Sequence, residues 1–256
     1  MSNIAAPPQR PRRPFRTPRA LITAVAVVLA LILAGLVGVE LYTRNHAAKL
    51  IADAVRCEVQ DSATVSFSSS PPVLWQYLSD RYSGVFIETA GNQVRSAKGM
   101  RVELNIHDVR VRRTADAKGS IGSLDGALTW SADGIKQSIQ DAVPIVGSLI
   151  SSSVTTNPAA GTVELKGLLN KATVKPQIID NGLALQVTDV SALGHSLSQD
   201  SLQQGLDELT AKATKNYPLG IHADSVQVTD TGVTVRFSSQ DAVIPAGPSR
   251  PCFADL

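Results

Sequence analysis

The chain is poor in the residues that most chemistry requires. It holds two cysteines and four histidines in 256 residues. No Cys/His group among them has the spacing of a metal cage. Aromatic residues make up only 4% of the chain, which disfavours a platform on which single-stranded nucleic acid or sugar rings stack. A basic excess is also lacking. The net charge of +2 comes from 24 Lys+Arg against 22 Asp+Glu. Six of the basic residues, Arg10, Arg12, Arg13, Arg16, Arg19 and Arg44, precede position 45, where Glu40 is the only acid. Taking these away leaves 18 basic and 21 acidic residues, so the rest of the chain is net −3. A net-acidic main domain argues against nucleic acid as a partner, because that partner needs a basic footprint. Disorder does not fit either, since Val, Ile and Leu are abundant.

What the chain does have is one long apolar run. Ala20 to Val39 is 20 residues without a charge. About 20 apolar residues at 1.5 Å each cross a hydrocarbon core of roughly 30 Å. A Pro/Arg-rich tail without an acid precedes it, an asymmetry that keeps the N-terminus in the cytoplasm and places Tyr42 onward outside. A cleavable leader is the rival reading. Its apolar core is shorter, about 7–15 residues, and ends in a small-x-small site. Here the core is long and Glu40, Leu41, Tyr42, Thr43 and Arg44 offer no such site. The expected organisation is a basic cytoplasmic tail at 1–19, a transmembrane anchor at 20–41 and an extracytoplasmic domain at 45–256.

Outside the cytoplasm two thiols in one domain usually pair. Cys57 and Cys252 are therefore expected to form a disulfide that ties the C-terminal tail to the first helix of the domain. In the chain-entropy model a loop this long contributes on the order of 4–5 kcal/mol.

Ala47, Leu50, Ile51, Ala54 and Val55 have helical spacing, in a helix that continues the membrane segment or stands beside it. Ala63, Val65 and Phe67 alternate as a strand. Pro71 and Pro72 start a short helix on which Leu74, Tyr77, Leu78 and Tyr82 are expected to share a face. In RVELNIHDVRV, Val102, Leu104 and Ile106 share one parity and Val109 and Val111 the other. A one-residue bulge at His107-Asp108 restores the phase and bends the strand, which suits a curled sheet. Leu124, Leu128 and Trp130 suggest a strand interrupted at Asp125-Gly126. Ser131 is a helix cap before Ile135, Ile139 and Val143. The stretch from Pro144 to Gly161 is apolar, then Ser/Thr-rich, and suits a flap. Two hairpins follow, one turning at Asp180-Asn181-Gly182 and one around Thr229–Gly232. Between them a helix from about Ser198 to Tyr217 carries Leu202, Leu206 and Leu209 on one stripe. The fold class is α+β, with a mostly antiparallel, curled sheet or roll wrapping helices.

No catalytic motif emerges. GHSLS at Gly194–Ser198 lacks the last glycine of a nucleophile elbow. Asp207-Glu208 reads as a solvated helix face. Arg110, Arg112 and Arg113 are the one basic concentration outside the membrane. On a strand Arg110 and Arg112 share a face, either an ordinary polar face or one that meets lipid phosphates. The apolar strand and helix faces fit a filled core or an acyl cavity equally well by periodicity. The scarcity of Phe and Trp to fill space favours the cavity, with Val102, Leu104, Ile106, Leu202, Leu206 and Leu209 as its lining.

The chain resembles the LmeA-type phospholipid-binding proteins of the actinobacterial envelope. The resemblance runs over most of Ala47 to Ser238. It rests on the helix ending near Cys57, on LWQYLSDRYSGV, on RVELNIHDVRV, and above all on YPLGIHADSVQVTDTGVTVRFSS with its Asp-Thr-Gly turn. It implies a membrane-anchored or secreted domain that binds phospholipid, including phosphoinositide, and that serves envelope lipids or lipoglycans. It implies a fold related to tubular lipid-binding proteins, with a curled sheet around a long helix. It carries over no catalytic residue and no cofactor. The expectation is a non-enzymatic lipid binder. The rival is an accessory subunit of an envelope transporter or glycosyltransferase whose interior is simply packed.

Overall fold

A computed structural model describes residues 18–142, 152–167, 170–192, 199–214, 218–246 and 251–253. The chain divides into two compact units, Met1–Tyr42 and Thr43–Leu256. Helix α1, Pro18–Val59, runs unbroken for 42 residues, so the amphipathic helix expected after the apolar run is its continuation. In the first unit the side chains from Leu21 to Val39 are exposed. A helix with apolar residues on all sides has no reason to face one core, and this one is long and apolar enough to cross a membrane.

The second unit is α+β. A six-stranded antiparallel sheet has the order β1-β2-β5-β6-β12-β11. Its strands are β1 Ala63–Phe67, β2 Arg81–Thr89, β5 Met100–Arg110, β6 Ala117–Ser131, β11 His222–Thr229 and β12 Gly232–Pro245. A four-stranded antiparallel sheet has the order β10-β9-β8-β7, with β7 Ser153–Asn157, β8 Thr162–Lys166, β9 Asn170–Ile179 and β10 Gly182–Ala192. The short pair β3 Gln93–Val94 and β4 Ala97–Lys98 forms a separate hairpin. Both larger sheets are open. Helices α2 Val73–Leu78, α3 Ala132–Ala142 and α4 Gln199–Thr214 complete the unit.

Three apolar clusters hold it together. The last turns of α1 pack Ala47, Ala48, Ile51, Ala52 and Val55 on Val65, Phe67, Val85 and Ile87 of β1 and β2. A second cluster joins Ile121, Leu124 and Ala242 on β6 and β12. The largest joins Val163, Leu165, Ala172, Val174 and Val187 of the four-stranded sheet to Val228, Val233 and Val235 of the six-stranded one, with Ile135 of α3 and Leu206 of α4. Ser131 caps α3, its Oγ accepting from the Gly134 N–H at 3.0 Å. The two hairpins turn where the sequence signals them. Asp180 and Asn181 have φ of 51° and 63°, the left-handed pair that a two-residue turn needs, and Thr229 pairs with Gly232.

Four expectations are corrected. First, the bend at Asp108 is not a bulge in one strand. Asp108 has φ 50° and lies unpaired, but Ser83, Gly122 and Asp241 on the neighbouring strands are skipped in the same row. All four strands lose one residue together, so the register on either side is kept. The side-chain phase inverts coherently across this crease. Leu104, Ile106 and Val109 therefore all reach the core, as do Ile121 and Leu124. Gly122 suits the row because a Cβ there would stand 3.0 Å from the Asp108 Cβ, a tight contact. Second, β6 is continuous through Asp125-Gly126. Gly126 sits within the strand because the Phe237 ring and the Glu103 carbonyl fill the space of a side chain. Third, the Ser/Thr-rich part of the supposed flap is strand β7, paired with β8 from Ser153↔Lys166 to Asn157↔Thr162; residues 144–151 lie outside the described residues. Fourth, α2 is only six residues long and buries Val73 and Gln76 rather than an aromatic face. Tyr82 belongs to β2, because Ser79 ends the helix and Asp80 turns the chain with φ 53°.

Candidate functional site

The apolar residues expected to line one cavity fall into separate clusters. Leu104 and Ile106 pack against the clusters of α1 with β1 and β2 and of β6 with β12. Val102 is half-buried and paired with Leu128. Leu206 is buried, and Leu202 partly buried, in the cluster shared with the four-stranded sheet. The Leu209 side chain lies outside the described residues. Helix α4 also closes the edge of β10. Gln203 accepts from the Val187 N–H at 2.8 Å and donates to Leu185 O at 2.9 Å, and Gln199 donates to Val187 O at 3.2 Å. Those glutamines give the sequence no apolar signal, so the edge-capping role was not legible.

Two of the surface concavities among the described residues bear on lipid binding. One of about 170 Å³ lies on the outer face of β1, β2 and β5, bordered by Thr64, Ser66, Phe86, Glu88, Glu103 and Asn105. The other, about 320 Å³, is the open flank of α1 at Leu21, Ile22, Val25, Ala26 and Leu29.

The basic concentration is divided by the fold. Arg110 ends β5 and binds Asp108 at 2.6 Å, with Arg81 on the same carboxylate at 3.4 Å. The Arg110 hydrogen bond, helped by Arg81, holds the Asp108 carboxyl below its usual range. Arg112 is not on the strand as expected, because β5 stops at Arg110; Arg112 and Arg113 are exposed in the connection that follows. That connection is fastened by the Val111 N–H, which donates to Asp80 O at 2.9 Å. It therefore lies beside the end of α2.

Around α2 the sequence reading missed the key residue. Gln76 is fully buried. Its Nε2 donates to Pro71 O at 2.6 Å and Ser68 O at 3.1 Å, and its Oε1 accepts from the Ser83 N–H at 3.0 Å. With Gln76 and Val73 turned in, Trp75, Tyr77 and Leu78 are 65%, 60% and 71% exposed. Arg44 of α1 donates to Phe67 O at 3.0 Å and Ser68 O at 3.2 Å, so it braces the strand end from which α2 departs.

The nearest approach to a catalytic constellation is His222, Asp224 and Ser238. Asp224 stands 3.2 Å from His222 Nε2, and Ser238 Oγ stands 3.4 Å from the same nitrogen. A relay needs the carboxylate on one ring nitrogen and the hydroxyl on the other. Here Nδ1 faces Gly220 O instead. Among the described residues no three His, Cys, Asp or Glu side chains are grouped to hold a metal ion. Cys57 and Cys252 are joined by a disulfide, Cα to Cα 5.5 Å, across 195 residues.

The model of the LmeA-like phospholipid-binding family matches residues 34–238, which takes in α2, the crease and the last hairpin. The chain belongs to the LmeA-like phospholipid-binding family. Similar proteins include one of Mycobacterium bovis and ones of two Mycobacterium tuberculosis strains, each titled an uncharacterized protein. Each is 51% identical over 245 residues, covering 96% of this chain and 70% of the relative. No solved structure matches. The LmeA-like match thus spans the crease, the four-stranded sheet and most of the six-stranded one.

Proposed function

We propose that this chain is a membrane-anchored phospholipid-binding protein whose main domain works outside the cytoplasm without catalysing a reaction. The family match over residues 34–238 carries this reading. The apolar stretch from Ala20 to Leu41 is the anchor, the arginine-rich tail stays in the cytoplasm, and the domain from residue 45 faces the envelope side, where a disulfide persists. Phosphoinositide is within the proposed lipid range, and support of envelope lipid or lipoglycan assembly is the proposed role. The family is one of binding proteins, which supports the non-enzymatic part.

Native mass spectrometry of the full chain extracted gently from membranes tests the binding. The expected result is a phospholipid adduct whose mass identifies the lipid. A chain recovered free of lipid, and taking up none from mixed vesicles, would overturn it. A C-terminal phosphatase fusion tests the topology and is expected to be active.

One observation favours a second reading, the packed accessory subunit. Leu104 and Ile106 on one side, and Leu202 and Leu206 on the other, sit in separate packed clusters rather than around one space.

A further inference from the structure

The outward face of α2 exposes more apolar surface than its length explains. Three of six residues, Trp75, Tyr77 and Leu78, are large and at least 60% exposed. They are not a frayed end. Val73 and Gln76 are fully buried one turn apart, and Gln76 is tied to Ser68, Pro71 and Ser83. The helix is thus held so that its aromatic side faces out. A polar rim lies beside it. The Val111 N–H bond to Asp80 O brings Arg112 and Arg113, both exposed, next to the C-terminal end of α2. Arg81 and Arg110 are already engaged by Asp108, which leaves Arg112 and Arg113 as the cations for an outside partner.

The anchor and this face belong to one chain. Arg44 lies five residues beyond Val39, the end of the uncharged run, and α1 is helical throughout. Arg44 and Gln76 donate to the same Ser68 carbonyl. Trp and Tyr concentrate at the headgroup level, and arginines there are drawn to anionic lipids.

We propose that Trp75, Tyr77 and Leu78, with Arg112 and Arg113, form a second membrane contact that seats the domain in the anionic headgroup region of the bilayer holding its anchor. It rests on the anchoring proposed above and adds a docking surface to it. A lipid surface rather than a protein partner is favoured by the tether and by aromatic side chains edged with arginine.

The test uses the full chain reconstituted in phosphatidylcholine vesicles containing phosphatidylglycerol, with and without phospholipid brominated high on the acyl chain. The Trp75 signal is the difference between the wild type and Trp75→Phe. Trp130, whose indole N–H donates to Lys98 O at 2.8 Å, remains as the internal reference. The expected result is flotation with the vesicles, with the Trp75 component blue-shifted and quenched by bromine. Arg112→Ala/Arg113→Ala should weaken that quenching in anionic vesicles and leave it unchanged in purely phosphatidylcholine ones. Failure to float would overturn the anchoring itself. Flotation with unquenched, solvent-like Trp75 emission would overturn this contact alone and give the patch to a protein partner. Quenching insensitive to the arginine substitutions would remove Arg112 and Arg113 from the contact.

Discussion

Arg44 and Gln76 donate to one oxygen, the Ser68 carbonyl, at 3.2 and 3.1 Å. This shared acceptor couples α1 to α2 through a strand end, beside the apolar cluster that Val73 of α2 joins with the last turns of α1. It explains why a buried amide is kept where a hydrophobic residue would be ordinary.

Gln76→Leu keeps the volume and removes four hydrogen bonds. The Ser83 N–H and the Pro71 carbonyl then lose the Gln76 amide as a partner, at a cost of about 1–3 kcal/mol in all. The urea midpoint of the full chain in detergent should fall accordingly, and protease should cut near α2 sooner. An unchanged midpoint would mean that water replaces the amide freely.

The crease makes a residue-specific prediction. Asp108 has φ 50°, a conformation that Asp and Asn tolerate and β-branched residues do not. Asp108→Val should cost about 1–3 kcal/mol through backbone strain. Asp108→Asn loses only exposed ion pairs with Arg81 and Arg110, which contribute little. Equal melting temperatures for the two variants would show that the left-handed conformation of Asp108 does not constrain the sheet.

Asp61 sets a pH response. Burial tends to raise its pKa, but the Asn92 side chain and the backbone N–H groups of Asn92, Ser62 and Gln93 outweigh that and hold it below the usual 3.8. A depressed carboxyl stabilises the fold in its ionised form. The contribution is complete above the ordinary pKa and is lost as pH falls through the lower, folded value. The stability gap between the wild type and Asp61→Asn should therefore be constant near neutrality and close below about pH 4. A gap independent of pH would assign the effect to packing.

Leu206 separates a filled interior from a hollow one. It is 7% exposed within the largest cluster. In a filled core Leu206→Trp overpacks and lowers stability by about 1–3 kcal/mol. In a space shared with acyl chains the indole displaces lipid and the delipidated protein melts nearly as before. Bound-lipid stoichiometry beside thermal unfolding decides between them.

Much of the architecture is written locally. The uncharged run from Ala20 to Val39, the turn at Asp180-Asn181, the Ser131 cap and the alternation of β1 depend on neighbours in sequence, and each is legible there. The phase change at His107-Asp108 is legible too, but its extent is not. Only the sheet shows that Ser83, Gly122 and Asp241 share the row with Asp108, because register is a relation between distant strands. The α2 surface is the clearest divide. Sequence spacing alone favours burying Leu74, Tyr77 and Leu78, since apolar residues at helical intervals ordinarily face a core. Tertiary structure turns Gln76 inward instead, because Ser68, Pro71 and Ser83 supply partners for its amide, and the aromatic side chains are left outside. The apolar residues of β5 and α4 divide for the same kind of reason. Periodicity states which side of an element is apolar, and only the packing of whole sheets decides which apolar sides meet.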